Sequence, residues 1–214
     1  MTANGRMGGK ILADGLKAQG VDAIFGVPGE SFLALLDGLY DQRDTIRFIT
    51  CRQEGGAANM AEAYGKLTGR PGVCVVTRGP GATNASVGLH TAFQDSTPMI
   101  LLVGQVGREM LDREAFQEVN HQIFFSEMSK WSAEIKDSSR IPEYLSHAFH
   151  VALSGRPGPV VLSLPEDMLR DVAEVEDAPR AIPVQPAPSM EQMSEVREML
   201  KNLSLIHISE PTRR

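Results

Sequence analysis

Short apolar segments alternate with stretches of helical periodicity along most of this chain. The clearest segment, from Val73 to Thr77, is a nearly continuous apolar run of the kind found in the middle of a parallel sheet. Five further segments predict strands, at 21–25, 46–51, 98–103, 132–136 and 160–164. Helices are predicted between them at 10–19, 31–39 (with Ser31 as its cap), 54–67, 141–153 and in a stretch that ends at Phe93. This alternation predicts an α/β fold, a doubly wound, mostly parallel sheet of about six strands with helices on both faces.

Composition excludes several classes of protein. The 214 residues are 42% hydrophobic and 22% charged, as in ordinary globular chains, and the net charge of −6 leaves no basic footprint for nucleic acid. No apolar run approaches the ~18 residues that a membrane span needs, and the first residues lack the apolar core of a signal peptide. We therefore expect a cytoplasmic protein with no nucleic-acid and no membrane partner. Cys51 and Cys74 are expected to be buried, reduced thiols.

Glu54 stands where a predicted strand ends and a predicted helix begins. This point belongs to the carboxyl edge of the sheet, where open α/β sheets bind ligands. A carboxylate in the first turn of a helix also gains from the helix dipole, and position alone favours that structural role. However, Gly55 and Gly56 weaken a helix start by about 1 kcal/mol each relative to Ala. The two glycines therefore indicate that another group approaches the backbone closely beside Glu54.

Glycine-bearing turns follow three of the predicted strands, at 26–29, 79–81 and 104–107. Each could place backbone N–H groups against a ligand, although such turns are more often only tight α/β connections. None fits the dinucleotide fingerprint, because Asn84 stands where GxGxxG needs its last glycine, and a Walker sequence is absent.

Prolines at matched places make two of these loops rigid. Pro28 and Pro80 fix the loop shape without donating hydrogen bonds, which suits a flat aromatic ring better than a phosphate. No group of residues has the spacing of metal ligands, so no metal site is predicted. His90 and His121 are isolated, and we expect them on a helix surface or in the core.

Six motifs occur in order along the chain. They are GVPGE (26–30), RQEGGAANMAEAYGKLTGRPGV (52–73), TRGPGATN (77–84), DSTPMILLVGQV (95–106), AFQE (115–118) and SGRPGPVVLSLPEDM (154–168). Together they resemble the N-terminal, pyrimidine-binding domain of thiamine-diphosphate-dependent enzymes of the acetolactate-synthase type. The resemblance covers roughly residues 7–172.

The resemblance implies a set of site residues. Glu54 matches the family's catalytic glutamate, which hydrogen-bonds a ring nitrogen of the aminopyrimidine. Gln117 matches a residue that faces the reacting carbon, so we expect it to be catalytic and, with Phe116, to contact substrate. The other expected cofactor-binding residues line the ring from two loops: Val27, Pro28 and Gly29 in the first, and Thr77, Pro80 and Asn84 in the second.

The same resemblance implies why a carboxylate stands at position 54. The thiazolium carbon of the cofactor is a weak acid, and the exocyclic nitrogen of the cofactor can deprotonate it only as an imine. A carboxyl group that shares a proton with the opposite ring nitrogen stabilises that tautomer. Burial in an apolar cleft helps to keep the proton shared. The protein then supplies orientation and electrostatics, while the cofactor carries the chemistry.

The parent enzyme that the resemblance implies is larger than this chain. Its C-terminal domain binds the diphosphate through magnesium, and FAD is a further cofactor that the parent allows. Its active site lies between the first domain of one subunit and the last domain of its partner, so a homodimer or homotetramer is expected. Its substrate is a small-molecule 2-oxo acid, and its reaction is decarboxylation with carboligation.

The composition changes after about Asp171. The proline-rich stretch 173–188 predicts an extended linker. Residues 189–203 predict a capped helix with no strand after it, which we interpret as the start of a truncated central domain. Residues 204–214 are unlike the family and are predicted to be a non-native tail, so the chain is interpreted as a fragment.

Other functions stay open at this point. Arg78 stands where many relatives have a small residue, and His90 lies in a helix near the site, so the substrate preference is open. Within the family, a thiamine-diphosphate decarboxylase or a sulfoacetaldehyde acetyltransferase is an alternative. A non-catalytic α/β dimerisation module also stays open, because the metal-binding half is absent from the sequence. Whether this chain is active by itself is left undecided.

Overall fold

A parallel sheet organises the larger of two compact units in this computed structural model, which describes residues 5–184 and 186–203. The elements, in chain order, are β1 (Arg6–Met7), α1 (Gly8–Ala18), β2 (Ala23–Gly26), α2 (Leu33–Asp41), β3 (Arg47–Thr50), α3 (Glu54–Thr68), β4 (Gly72–Val76), α4 (Gly79–Gln94), β5 (Met99–Gln105), α5 (His121–Phe124), β6 (Trp131–Glu134), α6 (Ile141–Leu153), β7 (Pro159–Pro165), β8 (Val172–Ala173) and α7 (Met190–Lys201).

The main sheet has the strand order β3-β2-β4-β5-β7-β6, and every neighbouring pair is parallel. This confirms the predicted α/β class and strand number, with a sheet that is parallel throughout. The chain steps outward from β2 to β3 and then steps the opposite way from β4 to β5. The winding therefore reverses between β2 and β4, and a reversal of this kind opens a crevice at the carboxyl ends of the two strands.

Helices cover both faces of the sheet, as predicted. Successive residues of β4 alternate between the two sides: Val73 and Val75 pack with α1, α2 and α6, whereas Cys74 and Val76 pack with α3 and α4. Both cysteines are buried and free, as expected, and burial raises the pKa of the Cys74 thiol, which keeps it protonated.

Two local features differ from the expectations. The predicted cap Ser31 is wrong, because Ser31 lies inside a 3₁₀ turn (Glu30–Phe32) that precedes α2, and its hydroxyl bonds Thr77 instead. A short antiparallel pair, β1 with β8, was not predicted; strands of two residues are too short to leave a pattern.

The segment 174–183 contains no helix or strand and is the last part of the larger unit. Gln19 fixes it from both sides, since its amide donates to the carbonyl of Pro179 (3.0 Å) and accepts from the N–H of Ala181 (2.9 Å).

The smaller unit begins at Val184 and contains α7. Ser189 and Gln192 form the capping box of this helix, whose described residues are all accessible to solvent. The predicted tail 204–214 lies outside the described residues. Within residues 5–184 and 186–203, none of the helices has both the length and the apolar character that crossing a membrane requires.

Helices α3 and α4 cross at close range because glycine stands at the crossing. A Cβ built on Gly88 of α4 would lie 2.6 Å from the carbonyl carbon and from the Cβ of Ala58 in α3. By contrast, a Cβ on Gly56, in the first turn of α3, would meet nothing within 4 Å. The two glycines therefore differ in the reason for their presence.

This contrast predicts opposite effects on stability. Gly88→Ala should lower the free energy of unfolding by about 1–3 kcal/mol, because the added methyl group must force two backbones apart. Gly56→Ala, the matched control, should raise it by roughly 0.5–1 kcal/mol through lower entropy of the unfolded chain. Urea unfolding followed by circular dichroism measures both. Equal effects of the two substitutions would contradict the packing role of Gly88.

Candidate functional site

The loops that follow β2 and β4 meet at the reversal of the sheet. A Cβ on Gly29 would lie 2.7 Å from the Cβ of Thr77, so the first loop touches the second where a side chain is missing. The hydroxyl groups of Ser31 and Thr77 are 2.9 Å apart and form a hydrogen bond. Gly104 of β5 leaves the space that Ser31 occupies, since a Cβ there would lie 2.0 Å from the Ser31 Oγ. Contacts between small residues thus build the floor of the site.

Glu54 presents its carboxylate at this edge from the first turn of α3. Its neighbour Gln53 is the cap of α3, because the Gln53 side chain accepts from the N–H of Gly56 at 2.9 Å. The Glu54 Oε2 instead accepts from the amide of Asn84 at 3.0 Å. Glu54 is half-buried, and its Oε1 lies 3.7 Å from the point where Gly81 would carry a Cβ. The first turns of α3 and α4 therefore meet around one carboxylate, which lies at the N-terminal ends of both helices.

The AFQE segment (115–118) docks on the start of α4. The N–H of Gly79 donates to the carbonyl of Gln117 at 2.9 Å, and Gln117 has a left-handed backbone (φ 65°) that non-glycine residues rarely adopt. The carboxylate of Glu118 holds this turn by accepting from the N–H groups of Asp112 (2.7 Å) and Ala115 (2.9 Å). Backbone strain of this kind costs about 1–3 kcal/mol per residue and persists only where the surrounding contacts hold the backbone in place.

The structure brings predicted site residues together as two pairs, Gly29 with Thr77 and Glu54 with Asn84. The carbonyl of Gln117, also a predicted residue, bonds Gly79, which was not predicted. Val27 is half-buried and packs on the core beneath α3 and α4. Three further predicted residues project outward. Pro28 and Pro80 are exposed, and Phe116 is 73% exposed.

Arg78 belongs to this edge in a way that the motifs did not reveal. The buried guanidinium pairs with Glu30 at 3.0 Å and with Glu166 at 2.5 Å. It therefore links the loop after β2, the start of α4 and the end of β7. All three residues lie inside the six motifs. However, Arg78 is 48 positions from Glu30 and 88 positions from Glu166, and pairing at such separations leaves no signal in a single sequence.

A buried polar cluster behind the AFQE segment was also missed. The amide of Gln105 donates to the carbonyl of Val119 at 2.8 Å, and the Nδ1 of His121 lies 2.8 Å from the hydroxyl of Ser163. His121 is 1% exposed, and burial lowers its pKa to about 4, so the imidazole is neutral at pH 7. His90, in contrast, is exposed on α4. The cluster anchors the chain two residues after Gln117.

Loops at the carboxyl edge of a parallel sheet, a carboxylate between two helix starts and a rigid glycine-lined floor together define an α/β cofactor-binding domain. Comparison with protein families gives the particular family. The chain belongs to the family described as thiamine pyrophosphate enzyme, N-terminal TPP binding domain, which it matches over residues 6–124. The family resemblance that the six motifs indicated is therefore confirmed.

Three curated relatives, at 36–41% identity, are named as acetolactate synthase large subunits. A probable acetolactate synthase large subunit of Methanocaldococcus jannaschii is 41% identical over 172 residues, which are 80% of this chain and 29% of that protein. The acetolactate synthase large subunit of Lactococcus lactis is 36% identical over 199 residues, 92% of this chain and 34% of that protein. The acetolactate synthase isozyme 2 large subunit of Escherichia coli is 40% identical over 161 residues, which are 75% of this chain and 29% of that protein. The chain thus spans about a third or less of the length of these relatives.

The buried imidazole predicts a specific dependence of stability on pH. An unfolded histidine has a pKa of about 6.5, whereas that of folded His121 is lowered to about 4. Between these two pKa values His121 binds a proton in the unfolded chain but not in the folded chain. The free energy of unfolding should therefore fall as the pH drops through this window, by roughly 3 kcal/mol in total.

Substitution isolates this contribution from the other titrating groups. The difference in unfolding free energy between pH 6.5 and pH 4 should shrink in His121→Gln, which cannot titrate there. His90→Gln, on the exposed surface of α4, is the control and should leave the difference unchanged. Urea unfolding at both pH values measures it, and identical pH profiles for His121→Gln and the unaltered chain would show that His121 is hydrated and exposed in solution.

Proposed function

We propose that the carboxyl edge of the sheet holds the aminopyrimidine ring of thiamine diphosphate, with Glu54 as the residue that hydrogen-bonds the ring. The observation that carries the proposal is the position of the Glu54 carboxylate between the first turns of α3 and α4, with one oxygen held by Asn84 at 3.0 Å. Its other oxygen, Oε1, has no hydrogen-bond partner among the described residues and faces the side where Gly81 lacks a Cβ.

The surroundings of Glu54 fit a flat, uncharged ring better than a diphosphate. Gly29 and Gly81 let the backbone pack closely on Thr77, and Val27, Pro28 and Pro80 supply apolar edges from the two loops. The nearby cation Arg78 is already paired with two carboxylates, so it offers no free positive charge. Among the described residues no cluster of three or more His, Cys, Asp or Glu side chains could hold a metal ion. The diphosphate and its magnesium are therefore assigned to another part of the whole enzyme.

In the proposed site the protein positions a proton. Bound thiamine diphosphate supplies the carbon nucleophile and the electron sink for a 2-oxo acid. Glu54 would hold, at Oε1, the proton that it shares with a ring nitrogen, while Asn84 keeps the carboxylate oriented through Oε2. The hydrogen bond from Gly79 to the carbonyl of Gln117 fixes that backbone and leaves the Gln117 side chain, with the exposed Phe116, available to substrate.

For the whole protein we propose an acetolactate-synthase-like activity, decarboxylation of a 2-oxo acid followed by carboligation, in a homodimer or homotetramer. The names of the relatives support it, and so does the site at the edge of the sheet. In this proposal residues 7–172 are the pyrimidine-binding domain, 173–188 the linker and 189–203 the start of a central domain. For the whole protein we also propose magnesium and FAD as cofactors and a cytoplasmic location.

This division of labour predicts how the chain binds ligands. Thiamine and thiamine diphosphate should bind weakly and with similar affinity, with or without magnesium, because the chain holds only the ring. Glu54→Ala should weaken binding of thiamine roughly tenfold or more, as for a lost hydrogen bond to a charged group. Glu127→Ala, at an exposed glutamate, is the control. Titration by nuclear magnetic resonance, following the pyrimidine protons, measures the affinity for each ligand with and without magnesium, in the unaltered chain and in both variants. A magnesium-dependent preference for the diphosphate would place the diphosphate site on this chain.

A second substitution separates proton sharing from ring binding in the whole enzyme. Glu54→Gln keeps the shape and a hydrogen bond but cannot share the proton. Hydrogen–deuterium exchange at the thiazolium carbon should slow by roughly 10²- to 10⁴-fold, the usual loss for an acid–base contribution, while cofactor affinity falls only modestly. Exchange at the unaltered rate in Glu54→Gln would leave Glu54 with a structural role at the helix start, and the catalytic assignment would fail.

A further inference from the structure

A cavity of about 410 Å³ lies at the opposite, amino edge of the sheet. Its walls are the turns 19–21 and 69–71, which precede β2 and β4, the side chains of Phe149 and Leu153 on α6, and residues 180–183. This volume falls in the range of about 300–1,000 Å³ that is typical of small-molecule sites. Strand β4, five residues long at about 3.3 Å per residue, separates the cavity from the site at Glu54 by roughly 15 Å. The cavity is therefore independent of the proposed cofactor site.

Two guanidinium groups converge on Gly20 at the mouth of this cavity. Arg70 donates a short hydrogen bond to the Gly20 carbonyl, and the central guanidinium carbon of Arg180 lies 3.1 Å from the point where Gly20 would carry a Cβ. Gly20 has a left-handed backbone (φ 84°), so a side chain there would be strained as well as obstructed.

Among the described residues, Asp22 is the carboxylate that pairs with Arg70. Asp22 accepts from Arg70 at 3.0 Å with one oxygen and from the Tyr64 hydroxyl at 2.7 Å with the other. The Tyr64 hydrogen bond, aided by Arg70, holds the pKa of Asp22 below its usual range and keeps it ionised. Arg180 makes no hydrogen bond or ion pair with any residue in 5–184 or 186–203, so the mouth retains an uncompensated positive charge.

Apolar side chains line part of the cavity, beside the polar groups at its mouth. Val21 and Phe149 are buried, Leu153 is half-buried, and Ile182 is 83% exposed at the rim. The wall that carries Arg180 and Ile182 is held in place by the hydrogen bonds of Gln19 on either side of it. An apolar, preformed body with a cationic mouth matches a ligand that has an anionic head and a hydrocarbon chain.

We propose that this cavity binds a small amphiphilic carboxylate, with its head on Arg180 and Arg70 and its chain against Phe149 and Leu153. Since the ligand would bridge α6, the turns before β2 and β4, and the segment 180–183, its binding holds that segment against α6 and the two turns. Octanoate is the probe that reproduces this chemistry.

Calorimetric titration of the full chain tests the proposal. Octanoate should bind, octan-1-ol and octylammonium should bind at least tenfold more weakly, and Arg180→Ala should weaken octanoate by at least tenfold. Arg180→Lys, which keeps the charge, should restore part of the affinity. Arg43→Ala, at an exposed arginine beyond α2, is the control and should bind as the unaltered chain does.

Other outcomes overturn the proposal. Octanoate binding that Arg180→Ala leaves unchanged would place the probe elsewhere, for example on the apolar side chains of α7, and no binding at millimolar octanoate would reject the site. Thiamine titrated in the presence of octanoate should bind unchanged, so failure here is separate from failure at Glu54.

Discussion

Close approach of backbones at glycine is the physical constraint on which the site depends. Gly88 lets α3 and α4 cross so closely that a single methyl group would meet the opposing backbone at 2.6 Å. That crossing sets the first turns of the two helices side by side, and Glu54 and Asn84 are hydrogen-bonded as a result. Gly29 and Gly104 act in the same way for the loops at Thr77 and Ser31. The glycines therefore set the spacing of the helices and loops, and this spacing brings the polar residues within hydrogen-bond distance of one another.

Charge is distributed differently at the two edges of the sheet. At the carboxyl edge the only buried guanidinium among the described residues, that of Arg78, is shared between Glu30 and Glu166. Such a balanced group orders loops but does not attract an anion. At the amino edge Arg180 has no such partner within the described residues, and Asp22 is already occupied. The same side-chain type thus has a structural role at one edge and a proposed binding role at the other, because its neighbours differ.

The chain corresponds to one part of its longer relatives. It matches the N-terminal domain family of thiamine pyrophosphate enzymes over residues 6–124, yet spans about a third or less of the length of its acetolactate synthase relatives. The site at Glu54 fits this share, since it provides a carboxylate and a shaped floor, and the buried Arg78 at the same edge is already paired with two carboxylates. Proton positioning and ring orientation are the contributions that such a surface can make.

The sequence by itself determined the α/β class, the strand number, the burial of Cys51 and Cys74 and the family, because hydrophobic periodicity and local motifs are short-range signals. Ser31 marks the limit of such short-range signals. A serine before a helix resembles a cap, but the Ser31 hydroxyl bonds Thr77, which lies in the loop after β4. The Arg78 ion pairs, the burial of His121 and the cavity beside Arg180 were likewise decided by tertiary structure alone. Each depends on residues far apart in the chain, which meet only because the winding of the sheet reverses between β2 and β4 and the helices close over both faces.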